Sequence, residues 1–108
     1  MTTAIPTLSP NAFGFVTMTP GIIETFGDRA AIVAQGLYLR FLDNDWGITP
    51  AEDQELNAEA VRGGDGRVMG SYMVDGTKVW VSAFICTDPK LQNDADVCNT
   101  CVMLPSEY

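Results

Sequence analysis

The sequence contains no histidine, and it has only six lysines and arginines against fourteen aspartates and glutamates. Histidine is the side chain most often used as a general base near neutral pH and in nucleophilic triads, so its absence removes the commonest catalytic arrangements. No phosphate-binding loop, dinucleotide fingerprint or nucleophile elbow occurs either. The sequence therefore predicts a protein that is not an enzyme, needs no cofactor and works by binding.

Basic residues and long apolar runs are also scarce. The net charge of −8 is large for 108 residues. It disfavours direct binding to nucleic acid or to an anionic membrane, and it makes a basic protein surface the natural partner. No apolar run approaches the roughly 18–20 residues that cross a bilayer, and Met1–Pro6 lacks the basic head of a signal peptide. These absences predict a cytoplasmic protein.

Cysteine is present but sparse, with three residues in the chain. An odd number without a secretion signal indicates reduced thiols rather than a disulfide framework. Cys98 and Cys101 have C-x-x-C spacing, and Cys86 adds a third thiol, but structural zinc takes four ligands, so Asp96 would have to complete the site. Residues three apart in a strand also face opposite sides. Buried thiols are therefore favoured, and a small Cys-ligated metal-binding domain remains an alternative.

What is present is the composition of a globular chain, with 46% hydrophobic and 19% charged residues. It predicts a single domain over residues 12–108, preceded by an irregular tail over residues 1–11 that contains Pro6 and Pro10. Alternating apolar residues predict a strand from Phe13 to Met18. The domain is expected to be α+β.

Start and stop residues predict about three helices. Thr19 is placed as the N-cap of a short helix with Pro20 at its first position, and Asp28 as the cap of a helix that runs from Arg29 to about Leu42. The third helix is predicted to start with a capping box over Thr49-Pro50-Ala51-Glu52 and to end at Gly63-Gly64. Trp46, in the loop before it, is expected to fill the core between helices.

The clearest local pattern is a hairpin. Two apolar segments, Arg67–Val74 and Thr77–Ile85, flank Asp75-Gly76, which is typical of a two-residue type I′ turn. A last strand is predicted from about Cys98 to Leu104. The expected fold is a small antiparallel sheet of three or four strands with about three helices packed on one face.

Acidic residues form the only candidate binding surface. No basic residue occurs between Arg40 and Arg62, and the spacing of Glu52, Glu55 and Glu59 places them on one stripe of the third helix. A solvated face that maintains solubility is the simpler interpretation, and a surface that engages a basic protein is the alternative. The residues predicted to bind the partner are Asp45, Glu52, Asp53, Glu55, Glu59, Asp88, Asp94 and Asp96.

Several short blocks, in order along the chain, carry a family resemblance. They are Thr19-Pro20-Gly21, Asp45-Trp46-Gly47, Asp53 with Asn57, Gly66–Tyr72, Asp75–Val81 and Val102–Tyr108. Together they resemble a family of small uncharacterised bacterial, plasmid and phage proteins, often labelled hypothetical or plasmid-related and sometimes restriction-system subunits. The resemblance runs from about Phe13 to Tyr108 and departs from the family pattern over Asp88–Cys101. It implies an accessory protein encoded by a mobile element, and it brings no catalytic residues.

Three hypotheses about function follow. The first is an acidic binding protein that inhibits a host nucleic-acid-handling defence complex, of the anti-CRISPR or anti-restriction type, by covering a basic surface as nucleic-acid mimics do. The second is a structural or regulatory domain that self-associates through its sheet. The third is the metal-binding domain that uses Cys86, Cys98 and Cys101. The sequence leaves the partner and the oligomeric state open.

Overall fold

A computed structural model describes residues 5–108, so the first four residues of the predicted tail lie outside the described part. One short strand is followed by three α-helices and then by three more strands. The strands are β1 (Phe15–Met18), β2 (Asp65–Val74), β3 (Thr77–Cys86) and β4 (Asn99–Met103). The α-helices are α1 (Pro20–Phe26), α2 (Ala30–Leu42) and α3 (Ala51–Gly63), and one-turn 3-10 helices occur at Pro10–Phe13, Gly27–Arg29 and Pro105–Glu107.

The four strands form one sheet in the order β1-β4-β3-β2. The predicted hairpin is confirmed: β2 and β3 pair antiparallel around Asp75 and Gly76, both of which have the positive φ angles of a type I′ turn. β4 adds antiparallel to β3, but β1 pairs parallel to β4. The sheet is therefore mixed, and the expectation of an antiparallel sheet is wrong for β1. The intervening helices carry the chain back so that β1 and β4 run in the same direction.

The helices occupy two positions around this sheet. α1 and α2 bury Ile22, Phe26, Leu37 and Phe41 against the inner face of the sheet, which contributes Val81 and other apolar side chains. α3 lies along the outer edge of β2 instead. Two helices of 13 residues and one of seven are present, and not all of them pack on one face, so the expectation of about three helices on one face is met only in part. None of the described helices is long and apolar enough to cross a bilayer.

Some of the predicted helix ends are confirmed, and the predicted side-chain caps are not. Gly64 ends α3 with a left-handed φ of 75°, as its sequence position indicates. The capping box at the other end of α3 is wrong, because Pro50 occupies the N-cap position and the Thr49 hydroxyl bonds elsewhere. Thr19 does stand at the N-cap of α1, but its hydroxyl makes no cap bond and donates to Glu107. Asp28 lies in a 3-10 turn and caps no helix.

Trp46 is buried, with 4% of its surface exposed, as expected. The loop around it is held to β2. Gly47 has a φ of 63° and lies so close to Ser71 that a Cβ would collide with the Ser71 carbonyl oxygen. The Tyr72 hydroxyl donates to the Asp45 carbonyl at 2.8 Å. This loop therefore fixes where α3 begins relative to the sheet.

Candidate functional site

α3 is attached to the edge of β2 by polar contacts that its sequence pattern does not reveal. The Thr49 hydroxyl donates to Trp46 O at 2.6 Å and accepts from Ser71 N at 2.9 Å. Ile48 N donates to Ser71 O at 2.7 Å. Nearly two turns into the helix, Asn57 bonds the backbone of Met69. These bonds satisfy outward-facing groups of an edge strand and leave the far side of α3 free to face solvent.

That solvent-facing side is acidic. Glu52, Glu55 and Glu59 are all exposed and follow one stripe of α3, as the spacing predicts. Asp53 is exposed on the flank that faces the sheet. Within residues 5–108 the two described ion pairs, Arg29–Asp75 and Arg40–Asp45, involve none of these carboxylates. The carboxylates of α3 therefore form a compact negative surface, called here the α3 acidic stripe (Glu52, Glu55, Glu59).

Asp45, the other acidic residue predicted near α3, has a structural partner. Its carboxylate accepts from Arg40 Nε at 2.8 Å and from Gly47 N at 3.1 Å. The hydrogen bond from Arg40, together with that from Gly47, lowers the pKa of Asp45 below its ordinary value. Its side chain is about half exposed, but binding to a partner would compete with the bond to Arg40.

The later acidic loop runs from the end of α3, where Thr87 N donates to Gly64 O at 2.9 Å, toward the opposite edge of the sheet. Asp88 and Asp94 are exposed and each accepts from a backbone N–H two residues on, at Lys90 and Asp96. Other residues of this loop line a cleft with Gly14 and Phe15, which are next to β1 and far in the strand order from β2. The structure thus brings the α3 carboxylates together, and no described contact joins Asp88, Asp94 or Asp96 to them.

A groove runs between α3 and the outer face of the sheet, which none of the described helices covers. Its volume is about 670 Å³, within the usual range for ligand pockets. The α3 side contributes Asp53 and Leu56, the latter 61% exposed. The floor and far wall are formed by outward-facing residues of β2 and β3 and by the last residue: Arg67, Met69, Ser71, Lys78, Trp80 and Tyr108.

The groove is lined by two aromatic rings and two cationic side chains. The Arg67 guanidinium lies 4.5 Å from the ring centre of Tyr108 and 5.7 Å from that of Phe84. Trp80 meets Tyr108 edge to face, with ring centres 5.6 Å apart. Rings of this kind are large, rigid contact surfaces that lose little entropy on binding. Arg67 lies at one end of the groove, where it pairs with Phe84 of β3. Lys78, six residues before Phe84 on β3, lies at the other end.

The cysteines do not converge on one site. Cys98 is buried and its Sγ donates to Ala12 O at 3.0 Å, and burial raises the pKa of its thiol. Cys86 is buried nearby, whereas Cys101 is half-buried and lies opposite Ser82 on the outer face. Within residues 5–108 no group of three or more metal-binding side chains is close enough together to hold an ion. Cys101 is therefore on the outer face, apart from the neighbouring buried thiols of Cys86 and Cys98.

No pattern in the sequence predicts the groove. Alternation along β2 and β3 indicates that Arg67 and Trp80 share a face of their strands, but it does not indicate that this face is left open. Comparison with family models, with curated proteins and with solved structures finds no match for this chain. The geometry of α3 and the groove is therefore what indicates a function.

Proposed function

We propose that this protein is a non-enzymatic binding protein that docks α3 and the adjoining groove onto a basic surface of a partner protein. The observation that carries the proposal is the placement of the α3 acidic stripe on a solvent-facing ridge directly beside an open apolar groove. Charge of one sign accelerates encounter with an oppositely charged surface. An adjoining apolar pocket supplies the buried contacts that hold a complex together.

The stripe supports the electrostatic part of this proposal. Its three carboxylates project from one helix that hydrogen bonds tie to the sheet, so their spacing is fixed before a partner arrives. Preorganised groups lose less entropy on association than groups on a mobile loop. A partner with lysines or arginines at matching spacing would gain several charge-assisted contacts along α3.

The groove supports the anchoring part. Leu56 and Ile48 are exposed along its α3 side, and Trp80 and Tyr108 provide aromatic surface opposite. A side chain of the partner that enters here would be covered on several sides. Arg67 and Lys78 at the two ends would repel a second cation, so the inserted group is expected to be apolar and the basic groups to stay on the stripe.

The biological role we propose is inhibition of a nucleic-acid-handling defence complex of the host, by an acidic protein encoded on a mobile element. Proteins that bind nucleic acid present basic surfaces, and a rigid acidic ridge competes for them. The charge of the whole chain and the family resemblance motivate this step. Asp88, Asp94 and Asp96 are proposed as a secondary contact, since no described contact joins them to the α3 acidic stripe.

Affinity capture from host lysate, followed by titration of the purified partner, tests the proposal. Binding should weaken steeply as salt is raised, because screening reduces attraction between exposed charges. The triple variant Glu52→Lys, Glu55→Lys, Glu59→Lys should lose binding. A matched control, Glu24→Lys, Asp28→Lys, Asp43→Lys, makes the same change in net charge at exposed residues away from α3 and should bind far better.

Two further variants measure the separate contributions of the groove and of the Asp88–Asp96 loop to binding. Leu56→Lys places a cation in the groove and should weaken binding with little effect on stability, since this side chain is mostly exposed. A triple loop variant, Asp88→Lys, Asp94→Lys, Asp96→Lys, should have a smaller effect than the α3 variant. Equal loss of binding in the α3 variant and in its matched control would show that only net charge matters and would overturn the proposed site.

A further inference from the structure

The part of the sheet that forms the floor of the groove carries positive charge and no carboxylate. Residues directly opposite each other in the hairpin of β2 and β3 point to the same side of the sheet. The chain as a whole has fourteen acidic residues against six basic ones. The local charge of this face is therefore opposite in sign to that of the chain, since its outward-facing residues are Arg67, Met69, Ser71, Met73, Lys78, Trp80, Ser82 and Phe84.

Arg67 is held in place by aromatic rings rather than by a carboxylate. Its guanidinium lies 4.5 Å from the ring centre of Tyr108 and 5.7 Å from that of Phe84. Within residues 5–108 the two described ion pairs do not include it, and its described hydrogen bond runs from Nη2 to Ser82 Oγ at 3.5 Å. A guanidinium has five N–H donors in a planar fork that matches a carboxylate. Most of these donors are therefore available to a ligand.

Apolar and aromatic side chains adjoin this cation. The ring of Tyr108 is next to Arg67 and also meets Trp80 edge to face, with ring centres 5.6 Å apart. Leu56, 61% exposed, lines the α3 side of the same groove, and Met69 is half-buried on its floor. The groove of about 670 Å³ is large enough for a small molecule of two fused rings. A flat ring that enters it would bury apolar surface while a substituent reaches Arg67.

The charges around the groove favour a ligand with a single negative charge. Lys78 is opposite Met73, six residues along β2 from Arg67, so the two backbone positions are about 20 Å apart. No described contact fixes the ammonium of Lys78, which leaves Arg67 as the preorganised cation. Asp53 also lines the groove, and the whole chain has a net charge of −8. A second negative charge on the ligand would therefore add repulsion.

We propose that the groove binds a small aromatic carboxylate. The ring lies between Leu56 on one side and Trp80 and Tyr108 on the other, and the carboxylate accepts hydrogen bonds from Arg67. A nucleic-acid strand adds one negative charge per nucleotide and a second copy of the chain adds a net charge of −8, so both meet repulsion that a monoanion largely avoids. This inference goes beyond the proposed function, because it needs no partner protein.

Titration followed by NMR of the two tryptophan indole N–H groups tests the proposal. The probes are 2-naphthoate, 2-naphthamide and 2-naphthylmethylammonium, which share a ring and differ in charge. The resonance of Trp80 should shift on binding and that of buried Trp46 should shift far less, with the two assigned from Trp46→Phe. We expect 2-naphthoate to bind about tenfold more tightly than the neutral amide and the cation to bind weakest. The dianion 2-naphthyl phosphate should bind less tightly than the carboxylate.

Variants separate the contribution of the cation from that of the rings. Arg67→Gln should weaken binding of 2-naphthoate about tenfold and leave binding of the neutral amide nearly unchanged. Lys90→Gln removes the same charge at an exposed residue that does not line the groove and should change neither affinity. Tyr108→Ala should weaken both probes by a similar factor, since it removes ring surface. Leu39→Ala, at a similarly exposed residue of α2, should have no effect.

Several outcomes would overturn the proposal. They are no shift of Trp80 with 2-naphthoate, equal affinity for the acid and its amide, equal losses in Arg67→Gln and Lys90→Gln, and tighter binding of 2-naphthyl phosphate or of a single-stranded oligonucleotide. A chain that light scattering shows to be dimeric and that binds no probe would assign the groove to a second copy instead. Circular dichroism confirms that each variant is folded. The triple variant Glu52→Lys, Glu55→Lys, Glu59→Lys should still bind 2-naphthoate, because the α3 acidic stripe does not line the groove, so this inference and the proposed function can fail independently.

Discussion

Asn57 of α3 and Met69 of β2 are joined by a pair of hydrogen bonds. Asn57 Nδ2 donates to Met69 O at 2.8 Å, and Met69 N donates to Asn57 Oδ1 at 3.0 Å. The amide side chain thus meets the edge strand as the peptide group of a fifth strand would. Met69 is an outward-facing residue of the sheet edge, and Asn57 is buried, so both backbone groups are satisfied without water. The bond pair fixes α3 against the sheet edge and keeps its acidic side outward.

Replacing this amide should therefore destabilise the fold. Asn57→Leu removes both partners of Met69 and is expected to lower the free energy of unfolding by about 2–4 kcal/mol, since unsatisfied buried groups carry their full desolvation cost. Asn57→Asp keeps an acceptor for Met69 N but loses the donor to Met69 O. Its free energy of unfolding should lie between those of the unaltered chain and Asn57→Leu. Urea unfolding followed by circular dichroism measures the difference. If Asn57→Leu costs no more than the exposed control Glu55→Ala, the bond pair contributes nothing to stability.

Trp46 offers a second test of how the loop before α3 is held. The ring is buried, so Trp46→Ala should cost about 3–5 kcal/mol through the cavity that it leaves. The indole Nε1 is also buried and finds no partner within the described residues. Trp46→Phe therefore loses no hydrogen bond and should cost well under half as much as Trp46→Ala. A far smaller loss in Trp46→Ala would place the ring at the surface and make it a binding candidate.

The parts of the fold that follow from sequence are those with local causes. Asp75-Gly76 supplies two positive φ angles in consecutive positions, and Gly64 supplies a left-handed helix end, so both turns are readable. The parallel pairing of β1 with β4 joins residues more than eighty positions apart and has no local pattern. Thr49 matches a capping box in sequence, yet its hydroxyl donates to Trp46 O, three residues earlier, and accepts from Ser71 N, which only the tertiary structure brings near.

The candidate site also has one part that follows from local sequence and one that depends on tertiary packing. The exposure of Glu52, Glu55 and Glu59 follows from helical spacing and charge, which is why the stripe is predictable. The groove beside it needs Leu56 from α3, Trp80 from β3 and the last residue of the chain in one place. Which face of a sheet stays uncovered depends on where the helices pack, and this chain has apolar residues on both faces of β3.

Acid should weaken the attachment of the end of the chain to α1. The Glu107 carboxylate accepts from the Thr19 hydroxyl at 2.5 Å, and from Leu104 N and Gly21 N at 3.0 Å each. The Thr19 hydrogen bond is the largest of the contacts that lower the pKa of Glu107 below its ordinary value of 4.5. A carboxyl with a depressed folded pKa contributes stability above its unfolded pKa, and that stability is lost as pH falls through the folded value.

Glu107→Gln should therefore be less stable than the unaltered chain at neutral pH, and the difference should shrink as the pH falls below about 4. Thermal unfolding at a series of pH values measures both proteins. Glu24→Gln serves as the control, since Glu24 is exposed and makes no described hydrogen bond. A stability difference that stays constant from neutral to acidic pH would show that the ionised form of Glu107 is not what the fold uses.

The reactivity of the three thiols decides between free thiols and the metal-binding alternative. Cys98 and Cys86 are buried, and burial keeps the Cys98 thiol protonated, whereas Cys101 is half-exposed on the outer face. Thiolate character and access set reactivity, so a disulfide reagent should label Cys101 first and the others only on unfolding. Cys101→Ser should abolish the fast phase, and Cys98→Ser should leave it unchanged. A metal held by all three thiolates would instead protect every thiol until a chelator was added, and elemental analysis would find close to one equivalent.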